Sequence, residues 1–162
     1  MPPPTILDPS SIDTSRLLYT REQIYQFLPQ RYEFEQLHGI IRVDQDAKVA
    51  AGIRSVKADE WWCRGHMPGA PLFPGVLMIE CAAQLAAFIQ HLLYPMKGEF
   101  MAFGGIDGAK FRGSVAPPAE LIVLVKEVEA RSRRYVCDVQ TFCNDLMVFE
   151  ARITGVPWIK EG

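Results

Sequence analysis

The residues best suited to chemistry lie in one segment, RGHMPGAPLFPGVLMIECAAQLAAF, which runs from Arg64 to Phe88. His66 lies in a loop rich in proline and glycine, and Glu80 follows as a single carboxylate in an apolar run. A neutral imidazole can accept a proton. Burial of a carboxyl group favours its protonated form, which can donate a proton. The pair therefore predicts a general base and a general acid.

Two more residues extend this set along a helix predicted from Gly75 to Tyr94. The Gly75 N–H is one of the free amides at the helix start, and the absence of a side chain lets a substrate oxygen come close. Gln84 lies one helical turn after Glu80, on the same face, where it can orient the carboxyl group. A base, an acid and an oxyanion donor together predict proton abstraction beside a carbonyl, with loss of a group from the next carbon.

Other interpretations of the same residues remain open from sequence alone. Glu80 can instead form a structural salt bridge, for example with Arg64 or Arg112. His91 either continues the polar stripe of Glu80 and Gln84 or reaches solvent at the end of the helix.

Composition limits the class of protein. With 162 residues the chain is long enough for one domain with a real core. A net charge of -2 and the absence of a basic tail argue against nucleic acid as a partner. The run from Pro74 to Tyr94 has the length of a membrane span, but the central Glu80 favours a buried helix.

The cysteines are scattered along the chain and form no C-x-x-C pair. We interpret them as reduced thiols of a cytoplasmic protein, and we expect no metal site, because short ligand spacing is lacking. Cys63 and His66 are too close in sequence to be expected to act as a thiol nucleophile and its base. The four cysteines are Cys63, Cys81, Cys137 and Cys143.

The chain divides into a proline-rich arm, residues 1–19, and one domain, residues 20–162. The arm lacks the pattern of a signal peptide and is expected to be extended, either loose or laid on a neighbour. Thr20 and Gln23 form a capping-box pattern for a short helix that Pro29 stops.

The remaining segments predict an α+β fold in which an antiparallel sheet surrounds the helix. Strands are expected at residues 34–43 and 48–56, and Asn144-Asp145 is expected to form a hairpin turn between the last two strands. One sheet cannot cover every side of an apolar helix, so a symmetric partner is expected. The later runs with strand-like composition are FMAFGGID, AKFRGSV, ELIVLVKEVEA, RYVCDVQTFC and LMVFEARITG.

Three stretches resemble the β-hydroxyacyl-acyl-carrier-protein dehydratases of fatty-acid synthesis. GHMPGAPLFPGVLMIECAAQ resembles the family pattern G-H-F-P-G-x-P-x-x-P-G-V-L-x-x-E-x-x-A-Q, with the same spacing from His66 to Glu80. LPQRYEF resembles L-P-H-R-Y-P-F, and GGIDGAKFRGSVAPPAEL resembles A-G-I-D-x-A-R-F-R-x-P-V-x-P-G-D. The likeness covers roughly Ile24 to Thr154.

The resemblance implies a hotdog fold and a dimer with a shared active site, often assembled into a trimer of dimers. It implies that His66 of one chain takes the C2 proton of a (3R)-3-hydroxyacyl thioester carried by acyl carrier protein. Glu80 of the other chain would protonate the departing hydroxyl, and the Gly75 N–H would hold the thioester carbonyl. No cofactor is implied. Position 80 is glutamate, as in the branch of the family that only dehydrates its substrate. The related branch that also isomerises the double bond usually has aspartate there, so the resemblance implies no isomerase activity.

The chain also departs from the family pattern. Gln30 replaces a histidine, Ala102 replaces a tyrosine that often gates the acyl tunnel, and His91 replaces an apolar residue. We hypothesise a divergent member that serves a specialised lipid or polyketide pathway. Two alternatives are a hotdog thioesterase and a non-catalytic protein that binds acyl thioesters.

Overall fold

A computed structural model describes residues 3–95 and 100–158. These residues contain seven strands, two α-helices and two turns of 3-10 helix, at Pro9–Ser11 and Tyr32–Phe34. In chain order the elements are β1 (Tyr19–Thr20), α1 (Arg21–Phe27), β2 (Gly39–Asp44), β3 (Val49–Val56), α2 (Gly75–Leu93), β4 (Phe100–Phe111), β5 (Ala119–Arg131), β6 (Arg134–Cys143) and β7 (Leu146–Trp158).

All seven strands form one antiparallel sheet in the order β1-β2-β3-β5-β6-β7-β4. The sheet wraps around α2, which packs against β3, β5, β6 and β7. Leu85, Phe88 and Ile89 of α2 are fully buried in the main core. The α+β architecture with one enclosed helix confirms the predicted fold class.

The length and composition of α2 would allow it to cross a membrane, but 67% of the relevant window is buried inside the fold. This burial is what a core helix requires, since an apolar helix must be covered on most sides. The interpretation of Gly75–Leu93 as a core helix agrees with the structure.

The amino-terminal arm lies, from Pro4 to Ile12, on the outer face of the chain's own sheet. The buried Gln140 side chain of β6 accepts a hydrogen bond from Ile6 N at 2.8 Å and donates one to Pro4 O at 3.0 Å. Ile12 packs into a second apolar cluster with Ile53 and Leu124. The sheet is therefore covered on both faces at β3, which explains its nearly continuous apolar sequence.

The short helix α1 begins as predicted. The Thr20 hydroxyl accepts a hydrogen bond from Gln23 N, and the Gln23 side chain accepts one from Thr20 N. This capping box satisfies two amides at the helix start. The helix ends at Phe27, whose ring meets Phe88 of α2 edge to face with centroids 5.4 Å apart.

Two strand predictions need correction. The strand expected from Phe34 starts only at Gly39, because Tyr32–Phe34 forms a 3-10 turn and the following segment runs beside α2. The run FMAFGGID and the first three residues of AKFRGSV form one strand, β4, and the rest of the second run lies outside it. The pairing of β4 with β7 contains two register shifts, one of them beside Gly108 with a φ of +59°. Such register shifts are caused by local backbone geometry, which the alternation of apolar and polar residues in the sequence does not reveal.

Strand β4 forms one edge of the sheet, where β7 is its only neighbouring strand among the described residues. This edge is twelve residues long, and Phe103 and Phe111 on it are about half exposed, at 51% and 52%. Long edges with apolar side chains favour pairing with another chain. The opposite edge, β1, has only two residues.

The predicted hairpin turn joins β6 to β7. Asn144 and Asp145 have φ values of +50° and +62°, so both central residues adopt the left-handed conformation of a type I′ turn. Asparagine tolerates this conformation, and glycine is the usual residue at the second position.

This turn generates a stability prediction. Asp145→Gly should raise the free energy of unfolding by about 0.5–1 kcal/mol, because relief of left-handed strain exceeds the added chain entropy. The midpoint of thermal unfolding should rise by about 2–4 °C per kcal/mol. Asp145→Val is the matched control and should lower the midpoint, since a β-branched residue disfavours positive φ. A glycine variant less stable than the natural protein would contradict the turn assignment.

Candidate active site

The histidine loop connects β3 to α2 and fixes the His66 ring. His66 Nδ1 lies 2.8 Å from Leu72 O, and His66 N donates to Trp62 O at 2.9 Å. A carbonyl oxygen can only accept, so Nδ1 carries the hydrogen in this contact. In the neutral ring Nε2 is then the basic atom, and His66 is partly exposed. This arrangement suits the base predicted at His66.

A buried arginine holds the beginning of that loop. Arg54 of β3 is only 2% exposed and pairs with Glu60, with Arg54 Nη2 and Glu60 Oε1 2.5 Å apart. Its guanidinium also donates to Gln36 Oε1 and lies over the Phe73 ring, 4.9 Å from the centroid. Arg54 therefore connects both ends of the histidine loop to the sheet, because Glu60 and Phe73 flank His66 in sequence.

The charge of Glu60 is stabilised within this arrangement. Burial disfavours ionisation, but hydrogen bonds from the Arg54 side chain and from Lys57 N, at 2.7 Å, outweigh burial and hold the pKa of Glu60 below its usual value. An ionised Glu60 satisfies the buried guanidinium, which would otherwise be strongly destabilising.

Glu80 lies in the second turn of α2 and is only partly buried. The alternative of a structural salt bridge is wrong for the described residues. Glu80 forms no ion pair there, and Arg112 instead pairs with Glu150 at 2.9 Å. Arg64 is exposed. Glu80 is thus available for chemistry rather than used to neutralise a neighbouring cation.

Gln84 orients Glu80, as the spacing of one helical turn predicts. Gln84 Nε2 donates to Glu80 Oε1 at 2.7 Å and to Phe34 O at 2.7 Å. Gln84 Oε1 accepts from Tyr25 Oη at 2.6 Å and from Gln36 N at 3.2 Å. The backbone N–H of Gln36 can only donate, so the amide cannot be flipped without losing bonds. All four hydrogen-bonding positions of Gln84 are used.

Tyr25 completes this arrangement from α1. Its hydroxyl accepts from Leu37 N at 2.8 Å while it donates to Gln84. Burial raises the pKa of Tyr25, so the hydroxyl stays neutral and keeps its donor hydrogen. The consequence for Glu80 is that Oε1 is fixed as an acceptor, and a proton on this carboxyl group is carried by Oε2.

Gly75 is the first residue of α2, as predicted. Its N–H has no hydrogen-bond acceptor among the described residues, and the preceding Pro74 provides no side-chain cap. A Cβ atom added at Gly75 would lie 2.8 Å from Cε1 of Phe111. A larger residue at this position would therefore have to displace the Phe111 ring. The free amide lies at the amino-terminal end of the helix.

His66 and Glu80 line two different cavities of the single chain. His66 lies on a cavity of about 410 Å³ that Trp61, Arg64 and Val76 also line. Glu80 lies on a much smaller cavity of about 50 Å³, together with Gln84. Neither of these two cavities therefore contains both the predicted base and the predicted acid.

Several residues outside the expected set shape the site. His91 does not reach solvent, as one alternative held, but is 8% exposed and its Nε2 has no partner among the described residues. The sequence analysis did not predict that Tyr25, Gln36 and Arg54 would contribute to the site. Only Arg54 carries a sequence signal, because it is a charged residue within the apolar strand VAAGIRSV.

The cysteines take no part in the site. All four are free, and Cys63, Cys81 and Cys137 are buried. Burial raises the pKa of the Cys81 thiol to about 12, so this group stays unreactive at neutral pH. Within residues 3–95 and 100–158, no three His, Cys, Asp or Glu side chains are grouped so that they could hold a metal ion.

One antiparallel sheet wrapped around one long helix defines the hotdog class. Two solved structures share the fold. A dehydratase heterocomplex from Xenorhabdus doucetiae matches with a TM-score of 0.71 and 13% identity over 85% of this chain and 91% of that one. A mutant thioesterase from Pseudomonas aeruginosa matches with a TM-score of 0.65 and 15% identity, over 88% and 98%.

The family follows from sequence comparison. The family model for the FabA-like domain matches residues 28–152. The chain is 39% identical over 112 residues to a 3-hydroxyacyl-(acyl-carrier-protein) dehydratase FabZ of Pelotomaculum thermopropionicum, covering 69% of this chain and 77% of that one. It is 32% identical over 146 residues to a FabZ of Polynucleobacter necessarius subsp. necessarius, covering 90% and 93%. The chain belongs to the FabA-like domain family.

His38 lies close enough to Arg54 to feel its charge, and it generates a prediction of how stability depends on pH. Burial, and then the positive charge of Arg54, lower the pKa of His38 to about 4. Its Nδ1 accepts a hydrogen bond from Ser55 N at 2.8 Å, which requires the neutral ring. The unfolded chain binds a proton near pH 6.5, so His38 contributes stability above that pH and loses it as pH falls towards 4.

His38→Asn keeps an acceptor at the same position but does not titrate. Denaturant unfolding at pH 7 and pH 5 should therefore show a smaller loss of stability on acidification for this variant than for the natural protein. His91, whose pKa burial also lowers, is present in both proteins and cancels in the comparison. Equal losses in the two proteins would show that His38 is not held neutral by the fold.

Proposed function

We propose that this chain is a dehydratase that removes water from (3R)-3-hydroxyacyl thioesters and yields trans-2-enoyl thioesters. The observation that carries the proposal is the fixed Glu80 carboxyl group, with Oε1 held by Gln84 and Oε2 left to donate a proton. Membership of the FabA-like domain family and the FabZ relatives support the reaction class. The residue roles below are part of the proposal.

The proposed step uses His66 as base and Glu80 as acid. His66 Nε2 takes the proton from C2, and the electron pair of that C–H bond forms the C2–C3 double bond. The C3–O bond breaks, and the oxygen takes a proton from Glu80 and leaves as water. His66 then carries the extra proton and Glu80 is ionised. Exchange with solvent returns both groups to their starting forms.

Gly75 would stabilise the charge that develops on the thioester oxygen as C2 loses its proton. Its N–H has no acceptor in the described structure and lies at the positive end of α2. Because Gly75 has no side chain, the carbonyl oxygen can approach the amide directly. We expect the acyl chain to continue beyond Glu80, past Met101 and Tyr135, which line both the small cavity and a neighbouring one of about 350 Å³.

We infer that the working site is shared between two copies of the chain. In one copy His66 and Glu80 line separate cavities, which supports a site completed by a second copy. The long exposed edge of β4, with Phe103 and Phe111 half exposed, is suited to continue the sheet into a second copy. His66 of one copy would then serve Glu80 of the other.

The partners and the place of action belong to the same proposal. The substrate would be presented by acyl carrier protein on its phosphopantetheine arm, in the cytoplasm, and no metal or redox group would be needed for this step. We further expect the homodimers to assemble as a trimer of dimers.

An assay of the natural protein tests the function directly. With 3-hydroxyacyl thioesters, ultraviolet absorbance should report reversible formation of the conjugated enoyl thioester. Glutamate at position 80 leads us to expect no isomerised product. A thioesterase would instead release free thiol, and a protein that only binds thioesters would do neither. Either of these outcomes would overturn the proposal.

The residue roles are tested by two substitutions. His66→Ala and Glu80→Gln should each lower kcat by about 10²–10⁴-fold, because each removes a proton-transfer group. The midpoint of thermal unfolding should stay near that of the natural protein, since neither side chain is fully buried. Near-normal turnover in either variant would remove that residue from the mechanism.

Mixing the two inactive variants tests the shared site. After subunit exchange a mixed dimer contains one complete pair, His66 from one chain and Glu80 from the other. An equal mixture should therefore recover about a quarter of the natural activity, because half of the dimers are mixed and each has one of two sites intact. Recovery of no activity despite confirmed exchange would place both residues of a working pair in the same chain.

A further inference from the structure

The Gln30 side chain carries a buried polar atom that nothing in the described structure satisfies. Its Oε1 is enclosed and has no hydrogen-bond partner among the described residues. Its backbone, in contrast, is held in place, since Arg31 Nη1 donates to Gln30 O at 2.7 Å and to Leu28 O at 2.8 Å. Buried polar groups are usually paired, so an unpaired acceptor on a fixed backbone is a candidate for contact with a ligand or a water molecule.

Gln30 lines the same small cavity as Glu80. The cavity has a volume of about 50 Å³, and about 10–15 Å³ of such volume is enough to hold one water molecule. The space therefore accommodates a water molecule or the hydroxyl group of a ligand. The other residues around it are Ala83, Gln84, Ala87, Met101, Phe103 and Tyr135.

The two polar groups in this cavity have complementary hydrogen-bonding roles. Gln84 occupies Glu80 Oε1, so a protonated Glu80 donates through Oε2. Gln30 Oε1 is an acceptor. A hydroxyl group or a water molecule accepts and donates at once, so it can accept from Glu80 while it donates to Gln30. An ammonium group or a methyl group would satisfy only one of the two, or neither.

We propose that Gln30 binds the 3-hydroxyl group of the substrate and then the water molecule that this group becomes. This inference rests on the proposed function. As the C3–O bond breaks, the oxygen takes the proton of Glu80 and keeps its own hydrogen, which stays directed at Gln30 Oε1. In the reverse reaction the same contact holds the attacking water at C3. Gln30 thus selects substrates that carry a hydroxyl group at C3.

The first test compares two ligands in two variants. Gln30→Leu removes the amide with little change in size, and Gln45→Leu makes the same change at an exposed turn residue. For Gln30→Leu, kcat/KM with a 3-hydroxyacyl thioester should fall about 10- to 100-fold, the value of one hydrogen bond to a buried polar group. Inhibition by the saturated acyl thioester of the same length, which lacks the hydroxyl, should change less than about 2-fold. Gln45→Leu should alter neither.

A second variant separates ligand binding from a structural role. Gln30→His keeps a hydrogen-bonding ring at the position, so it should recover most of the activity that Gln30→Leu loses. If Gln30 served only the fold, both ligands would lose affinity together. An unchanged kcat/KM in Gln30→Leu, or equal losses with the hydroxyl and saturated ligands, would overturn the inference.

The inference can fail separately from the proposed function. If the natural protein did not dehydrate any 3-hydroxyacyl thioester, calorimetric binding of the hydroxyl and saturated thioesters would still be compared in the natural protein and Gln30→Leu. Selective loss of affinity for the hydroxyl ligand would support Gln30 as its binding residue in a protein that binds without reacting. Absence of that selectivity would overturn it, whatever the enzyme activity.

Discussion

The hydrogen bonds of one buried amide, Gln84, are the constraint on which the candidate site depends. Gln84 accepts from Tyr25 and from the Gln36 backbone, and it donates to the Phe34 carbonyl and to Glu80. These bonds connect α1, the segment before β2, and the core helix at a single point. Because every position of the amide is used, the orientation of the Glu80 carboxyl group follows from the fold itself and does not require a substrate.

A second buried group plays the corresponding role for the histidine loop. The loop contains no helix or strand, and besides its internal hydrogen bonds, such as that from His66 N to Trp62 O, it needs contacts that anchor it to the sheet. Arg54 provides them through Glu60 and Phe73, while Gln36 connects its guanidinium to the Gln84 cluster. Glu80 and the loop that carries His66 are thus held by adjoining networks. Gln36 takes part in both, through its side chain with Arg54 and through its backbone N–H with Gln84.

The sequence was most informative where a pattern reports directly on local physics. The capping box at Thr20, the apolar helix with one carboxylate and the turn at Asn144 each depend on neighbours in the chain, and the structure confirms them. The residue at which β2 starts and the continuation of β4 through its bulges depend on pairing between strands. Alternation of apolar and polar residues along the sequence does not encode that pairing. Three of the hydrogen-bond partners of Gln84 are Tyr25, Phe34 and Gln36, which lie far from it in sequence. A pattern of neighbouring residues therefore could not predict these contacts.

The exposed edge of β4 and the separated site residues have a common explanation. An isolated chain leaves a long apolar edge unpaired, which is unfavourable, and its His66 and Glu80 line separate cavities. A second copy that extends the sheet would cover the edge and also bring a second histidine loop to the helix region. Assembly and catalysis would then depend on the same contact. A separated chain would keep the positioned acid, since every partner of Gln84 lies in its own chain, and it would lose only the base.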